Sequence, residues 1–125
     1  MNNKFFPKKP EVTPTIYAYE LPNDSSKERQ LKIGFTNRSA QVRIKEQVGA
    51  ARSKYHIVLE EEAIRNDGSV FNDKGDLHPF LRKCGYKNPD GEWFVITVKQ
   101  LKAALIAVKN REVNQQNRSL DFSMR

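Results

Sequence analysis

The chain has 125 residues, of which 38% are hydrophobic and 30% charged. That length suits one small domain with a single core. The formal net charge of +7 and the pI of about 9.6 favour a polyanionic partner, although an excess of lysine and arginine also serves plain solubility.

The single cysteine, Cys84, excludes a disulfide within the chain and a cysteine-based zinc site. Its isolation suits a reducing compartment. No apolar run is long enough for a signal peptide or a transmembrane helix. We therefore expect a cytoplasmic protein.

Composition divides the chain into three segments. Residues 1–13 form a basic N-terminal arm with lysines between prolines. Residues 14–109 carry the periodic apolar patterns of a folded domain. Residues 110–125 are polar and are predicted to be a tail or a linker to a further domain.

Two runs near the start alternate with a period of two, at residues 15–19 and 31–35. Because the connector between them is short and rich in turn residues, we predict an antiparallel hairpin. One face would bury the aliphatic residues, and the other would carry Tyr17, Tyr19, Lys32 and Gly34. The pattern alone favours a half-exposed tyrosine ladder and a solvated lysine.

Helix and strand signals follow the hairpin. Ser39 is the predicted N-cap of a helix from Ala40 to about Val48, and Arg43 lies at the border of its buried stripe. Alternation at residues 55–60 predicts a third strand with Tyr55, Ile57 and Leu59 on one face.

Sequence signals in the second half of the chain predict two more helices. Asp76 is the expected N-cap of a short helix that Gly85 ends, and residues 92–96 form a short strand or sheet edge. Thr97 and Gln100 form a capping box before a helix whose stripe runs to Val108. We predict an α+β fold with a small, mostly antiparallel three-stranded sheet flanked by helices.

The order of several short motifs resembles the GIY-YIG nuclease superfamily. Thr-Ile-Tyr at residues 15–17 and Lys-Ile-Gly at residues 32–34, followed by Arg43 on a helix, are similar to its signature. Gly-Glu-Trp-Phe at residues 91–94 resembles a phage-type subgroup that is often fused to helicase or restriction motors. The chain departs from the pattern at Lys32, where many members have tyrosine, and at Thr15, where they have glycine.

The resemblance implies a metal-dependent DNA endonuclease that cuts one strand per site. Tyr17 would act as the general base or orient it, with Lys32 as the cation that lowers its pKa from about 10. Arg43 would grip the phosphate with its fork of donors. Glu92 would hold Mg²⁺ or Mn²⁺, since Mg²⁺ accepts few protein ligands. His78 would face the site.

Taken singly, these residues have simpler explanations. Arg43 could be a surface arginine, Glu92 an exposed residue after a turn, and His78 a surface or capping histidine. The expected partner is DNA, with contacts from Tyr19, Arg38, Arg52 and Lys54.

We expect a monomer or weak dimer without membrane association, as the N-terminal module of a protein that carries a helicase or translocase domain. One alternative is a catalytically weak or inactive nucleic-acid-binding module. Another is a small protein-interaction domain.

Overall fold

A four-stranded antiparallel sheet forms the centre of the computed structural model, which describes residues 13–49 and 54–111. The strands are β1 (Thr15–Glu20), β2 (Gln30–Thr36), β3 (His56–Glu62) and β4 (Trp93–Val95), in the order β3-β1-β2-β4. The helices are α1 (Ala40–Val48), α2 (His78–Lys83) and α3 (Val98–Asn110). The predicted N-terminal arm and most of the C-terminal tail lie outside the described residues.

The α+β class is confirmed, but the predicted count of three strands is wrong. The segment Trp93–Val95 pairs with residues 30–32 of β2 and completes the sheet. The sequence predicted residues 92–96 as a short strand or sheet edge, and its pairing with β2 is what makes this segment a fourth strand of the sheet.

Both faces of the sheet are covered. On one face, aliphatic side chains of β1 and β2 pack against α2 and α3. On the other, Tyr17, Tyr19 and Trp93 pack beneath Ala40 and Ile44 of α1. The expected half-exposed tyrosine ladder is therefore wrong, because α1 leaves Tyr17 only 1% and Tyr19 only 2% exposed.

A β-bulge in β3 breaks the predicted alternation. Ala18 pairs with Leu59, whereas the next residue, Tyr19, pairs with Ile57. The extra residue, Val58, moves Leu59 to the aliphatic face and leaves Ile57 against the tyrosine face. The prediction that Ile57 and Leu59 share a face is wrong for this reason.

The helix signals near α1 and α3 are confirmed. Ser39 accepts a hydrogen bond from the Val42 amide, and Thr97 and Gln100 cap each other reciprocally. The cap of the middle helix is wrong. Asn72 caps a π-helical turn, Asp73–Leu77, that runs directly into α2.

Asp76 lies inside that π-helical turn and accepts hydrogen bonds from the Asn72 amide and from Arg65. None of the helices in the two described ranges is both long and apolar enough to cross a membrane.

Candidate active site

Tyr17 on β1 lies directly opposite Gly34 on β2. Its ring and hydroxyl rest on the bare backbone of that glycine, so a Cβ added there would overlap both. Gly34 is thus required for space, and a larger residue would displace the hydroxyl.

Helix α1 covers the two tyrosines with polar side chains. The Gln47 amide nitrogen donates to the Tyr17 hydroxyl at 3.1 Å, and the Tyr19 hydroxyl donates to the Gln47 carbonyl oxygen at 2.9 Å. The tyrosine rings stack in parallel with centroids 6.3 Å apart. Sequence reasoning missed Gln47, although it lies one turn after Arg43 on the same helix.

Arg43 lies on the same helix, and its positive charge lowers the pKa of Tyr17. It also lies 3.6 Å from the Glu46 carboxylate, and its side chain is 42% exposed. An arginine at this border position can turn between the buried hydroxyl and an external anion.

Glu92 stands just before β4 and pairs with two lysines. The Lys32 ammonium lies 2.8 Å from one carboxylate oxygen, and the Lys74 ammonium lies 3.6 Å from the other. Partial burial by itself would raise the pKa of Glu92, but the hydrogen bond and charge of Lys32, aided by Lys74, bring that pKa below its ordinary value. Glu92 is therefore ionised at neutral pH.

The Tyr17 hydroxyl is held protonated at neutral pH. Burial raises its pKa, the Gln47 hydrogen bond lowers it, the Glu92 charge raises it and Arg43 lowers it, with a net rise above 10. The cation predicted to lower this pKa was Lys32. The structure pairs Lys32 with Glu92 instead, and Arg43 supplies the favourable charge.

Tyr19 holds its proton more strongly than Tyr17 does. Burial, followed by the neighbouring Tyr17 and Glu92, raises its pKa far above the usual value. The hydroxyl therefore remains a donor to Gln47. Because Tyr19 is buried beneath α1, it presents no surface for the DNA contact expected from the sequence.

His78 is also buried, at the start of α2 on the aliphatic face of the sheet. Its Nε2 bonds to the carbonyl oxygen of Ile33 at 2.9 Å, and its ring packs on Phe94. The Ile33 amide in turn donates to the Glu92 carbonyl oxygen at 3.0 Å. His78 thus supports β2 where β4 begins and is a positioning residue in this arrangement.

Of the remaining predicted contacts, Arg38 shares the Glu46 carboxylate with Arg43. Arg38 is exposed and makes a two-pronged hydrogen bond to Glu46, at 2.9 and 2.7 Å. Lys54 is exposed. Arg52 lies outside the described residues.

Asn88 is a second residue that sequence reasoning missed. Its side-chain amide donates to the carbonyl oxygens of Gly91 and Trp93, at 2.8 and 2.7 Å, and it accepts from Arg82. Asn88 therefore holds the backbone on both sides of Glu92 in place. The polar turn before β4 was visible in the sequence, but the partners of its asparagine were not.

A metal ion bound at this site would have a single protein carboxylate, that of Glu92, as a ligand. Among residues 13–49 and 54–111, no group of three or more histidine, cysteine or acidic side chains is placed to bind a metal ion together. Glu92 is ionised and partly exposed, which fits Mg²⁺ held by one carboxylate, waters and substrate phosphate. Binding would displace at least one lysine contact.

Replacing Gly34 by alanine should disturb the site by overpacking. We expect Gly34→Ala to destabilise the fold by about 1–3 kcal/mol, because the Tyr17 ring must move. Urea unfolding measures the change. Gly49→Ala is the control, since its added methyl meets nothing within 4 Å. Equal stability of the two variants would contradict the predicted overlap.

Replacing His78 by phenylalanine keeps the packing on Phe94 and removes the donor to Ile33. We expect a loss of about 1–3 kcal/mol from the unpaired carbonyl, measured by urea unfolding, and a smaller loss in His78→Gln, which keeps a donor.

The burial of His78 also predicts that the stability of the fold depends on pH. Burial lowers the pKa of His78, so its stabilisation is present above about pH 6.5 and is lost as pH falls from there. The phenylalanine variant should lack this acid-side loss. An unchanged profile would show that His78 does not titrate with folding.

Comparison with known proteins adds a family to this geometry. The T5orf172 domain model matches residues 15–109, which are most of the chain. No curated protein and no solved structure matches the chain. The chain therefore belongs to the T5orf172 domain family, a nuclease-like family.

Proposed function

We propose that this chain is a metal-dependent DNA endonuclease domain of the GIY-YIG type, hydrolysing one strand per site. The observation that carries the proposal is the position of the Tyr17 hydroxyl, which rests on Gly34 and accepts a hydrogen bond from Gln47 of α1, the helix that also carries Arg43. The charges of Glu92 and Arg43 both act on the pKa of this hydroxyl. A phosphodiesterase needs a proton acceptor, a phosphate-binding cation and a means to offset the developing charge.

Arg43 is the phosphate ligand in this proposal. Its fork of donors matches two phosphate oxygens. The side chain is 42% exposed and lies 3.6 Å from the Glu46 carboxylate, so a phosphate can compete with this contact.

Glu92 is the residue that would hold Mg²⁺ or Mn²⁺. The metal would supply charge neutralisation at the phosphate and the leaving oxygen. Lys32 and Lys74 keep the carboxylate ionised beforehand. Lys74 is 77% exposed on the π-helical turn, so it is free to meet the substrate backbone once a metal takes its place.

Gln47 lowers the pKa of the proposed base, against the larger rise that burial causes. Because Tyr19 remains protonated and donates to the Gln47 carbonyl oxygen, the amide nitrogen is directed at Tyr17. A donor stabilises the tyrosinate more than the neutral phenol. Tyr17 receives a donor from Gln47, whereas Tyr19 donates to it, so Tyr17 is the easier of the two tyrosines to ionise, which favours it as the base.

This proposal includes the finer features that the resemblance implies. The domain would act as a monomer or weak dimer in the cytoplasm, fused to a helicase-like or restriction motor. A catalytically weak or inactive DNA-binding module is the second candidate. The lysine pairing of both Glu92 oxygens favours it, since the carboxylate is already neutralised.

Supercoiled plasmid separates these functions. We expect the wild type to nick it with Mg²⁺ or Mn²⁺, and Glu92→Ala and Tyr17→Phe to lower the rate by about 10²–10⁴-fold, the range of general acid–base groups. Glu28→Ala, an exposed carboxylate elsewhere, is the control. Identical residual nicking by wild type and Glu92→Ala would refute the catalytic assignment. Binding without cleavage under any metal would select the inactive module.

The pH profile tests Tyr17 as the base. Since its pKa is raised, the single-turnover nicking rate should increase with pH from neutrality upward. Gln47→Leu removes a hydrogen bond that lowers this pKa, so the rising limb should move to higher pH. Gln41→Leu on the exposed side of the same helix is the matched control. A Gln47→Leu profile that overlays the wild type would exclude Tyr17 as the titrating group.

A further inference from the structure

A second concave surface lies away from the tyrosine cluster. It is a cleft of about 610 Å³ between α2, the π-helical turn before it and the end of α3. These elements pack on the aliphatic face of the sheet, whereas α1 and the tyrosines occupy the other face. The cleft is therefore separate from the proposed active site.

The cleft combines positive charge with an apolar wall. Its cations are Arg65, Arg82, Lys83 and Arg111. Its apolar wall is formed by Pro79, Phe80 and Val108. Asp76 is the one carboxylate in this lining, so the cleft has an excess of positive charge.

Internal contacts occupy some of these cations but not all. Arg65 pairs with Asp76 at 3.1 Å, and Arg111 pairs with Asp67 at 3.0 Å. Arg82 bonds only to the neutral amide of Asn88 among the described residues, and Lys83 has no ion-pair partner there. Two positive side chains thus remain for an external anion.

The positive surface continues beyond the cleft. Neither α2 nor α3 contains an acidic residue. The exposed side of α3 adds Lys99 and Lys102, which have no carboxylate partner in the described part of the chain. Lys74 is the chain neighbour of the lining residue Gly75 and lies 3.6 Å from the Glu92 carboxylate. One exposed cation therefore stands between the proposed active site and the cleft.

We propose that this cleft binds an unpaired strand of DNA that leaves the duplex next to the cut. Cations that follow the backbone, beside an apolar or aromatic wall for a base, are the features of single-strand sites. A duplex has a persistence length of about 150 bp and cannot bend around a domain this small without a large cost. A single strand can pass along Lys74 and reach the cleft on the other face.

This inference rests on the proposed function for its choice of DNA, and it specifies the substrate further. Branched or flapped DNA would engage both surfaces, whereas a plain duplex would engage only the active site.

Binding of a fluorescently labelled oligothymidylate without metal tests the cleft independently of cleavage. We expect Lys83→Glu to weaken binding by about tenfold and to reduce the slope of log affinity against log salt by about 0.7. Lys83→Gln should give the same direction with a smaller change. Lys45 lies at an exposed position of α1. The variant Lys45→Glu makes the same change in net charge and should leave binding near wild type.

Cleavage supplies the second readout. Wild type should cut a duplex with a single-stranded flap faster than a plain duplex, and Lys83→Glu should lose that preference while cutting the plain duplex at the wild-type rate. Equal weakening by Lys83→Glu and Lys45→Glu, or an unaltered flap preference, would overturn the cleft assignment. If no DNA is cut but the oligonucleotide result holds, the proposed function fails and the cleft assignment stands.

Discussion

The aromatic ring of Tyr17 packs directly on the backbone of Gly34, and the rest of the candidate site depends on this contact. Because the ring lies flat against the sheet, α1 can cover it closely, and the hydroxyl comes within reach of Gln47. A side chain at position 34 would lift the ring and disturb this hydrogen bond. The close approach of two strands therefore sets the position of the polar groups above them.

Burial makes the polar groups of this face depend on one another. The Tyr17 and Tyr19 hydroxyls both bond to the side-chain amide of Gln47, and Lys32 forms an ion pair with Glu92. A buried polar group without a partner is costly, so each of these contacts also favours one arrangement of the cluster. The same desolvation that holds the tyrosines protonated strengthens the influence of Arg43 on Tyr17.

The two faces of the sheet have different character. Helix α1 covers a face with aromatic and ionisable groups, whereas α2 and α3 cover an aliphatic core and present a basic exterior. The π-helical turn before α2 is where the two surfaces meet, since Lys74 reaches Glu92 while Gly75 and Asp76 line the cleft. This short turn therefore links the positively charged back of the domain to its candidate site.

Local sequence signals predicted the parts of this fold that local interactions control. The hairpin, the bounds of α1 and the capping box of α3 follow from side-chain periodicity and from caps that lie within four residues of their partners. The resemblance to GIY-YIG nucleases pointed to Tyr17, Arg43 and Glu92, and the charges of Glu92 and Arg43 both act on the pKa of Tyr17. Their catalytic roles remain predictions.

Tertiary structure alone decided the features that depend on distant neighbours. The sequence predicted a short strand or edge at residues 92–96, but only the pairing with β2 shows that β4 belongs to the central sheet. β3 changes face only because Val58 is an extra residue in its pairing with β1. The sequence also could not show that α1 buries both tyrosines, that Lys32 pairs with Glu92, or that His78 bonds to the Ile33 carbonyl. These partners are separated along the chain, and packing of the helices onto the sheet selects them.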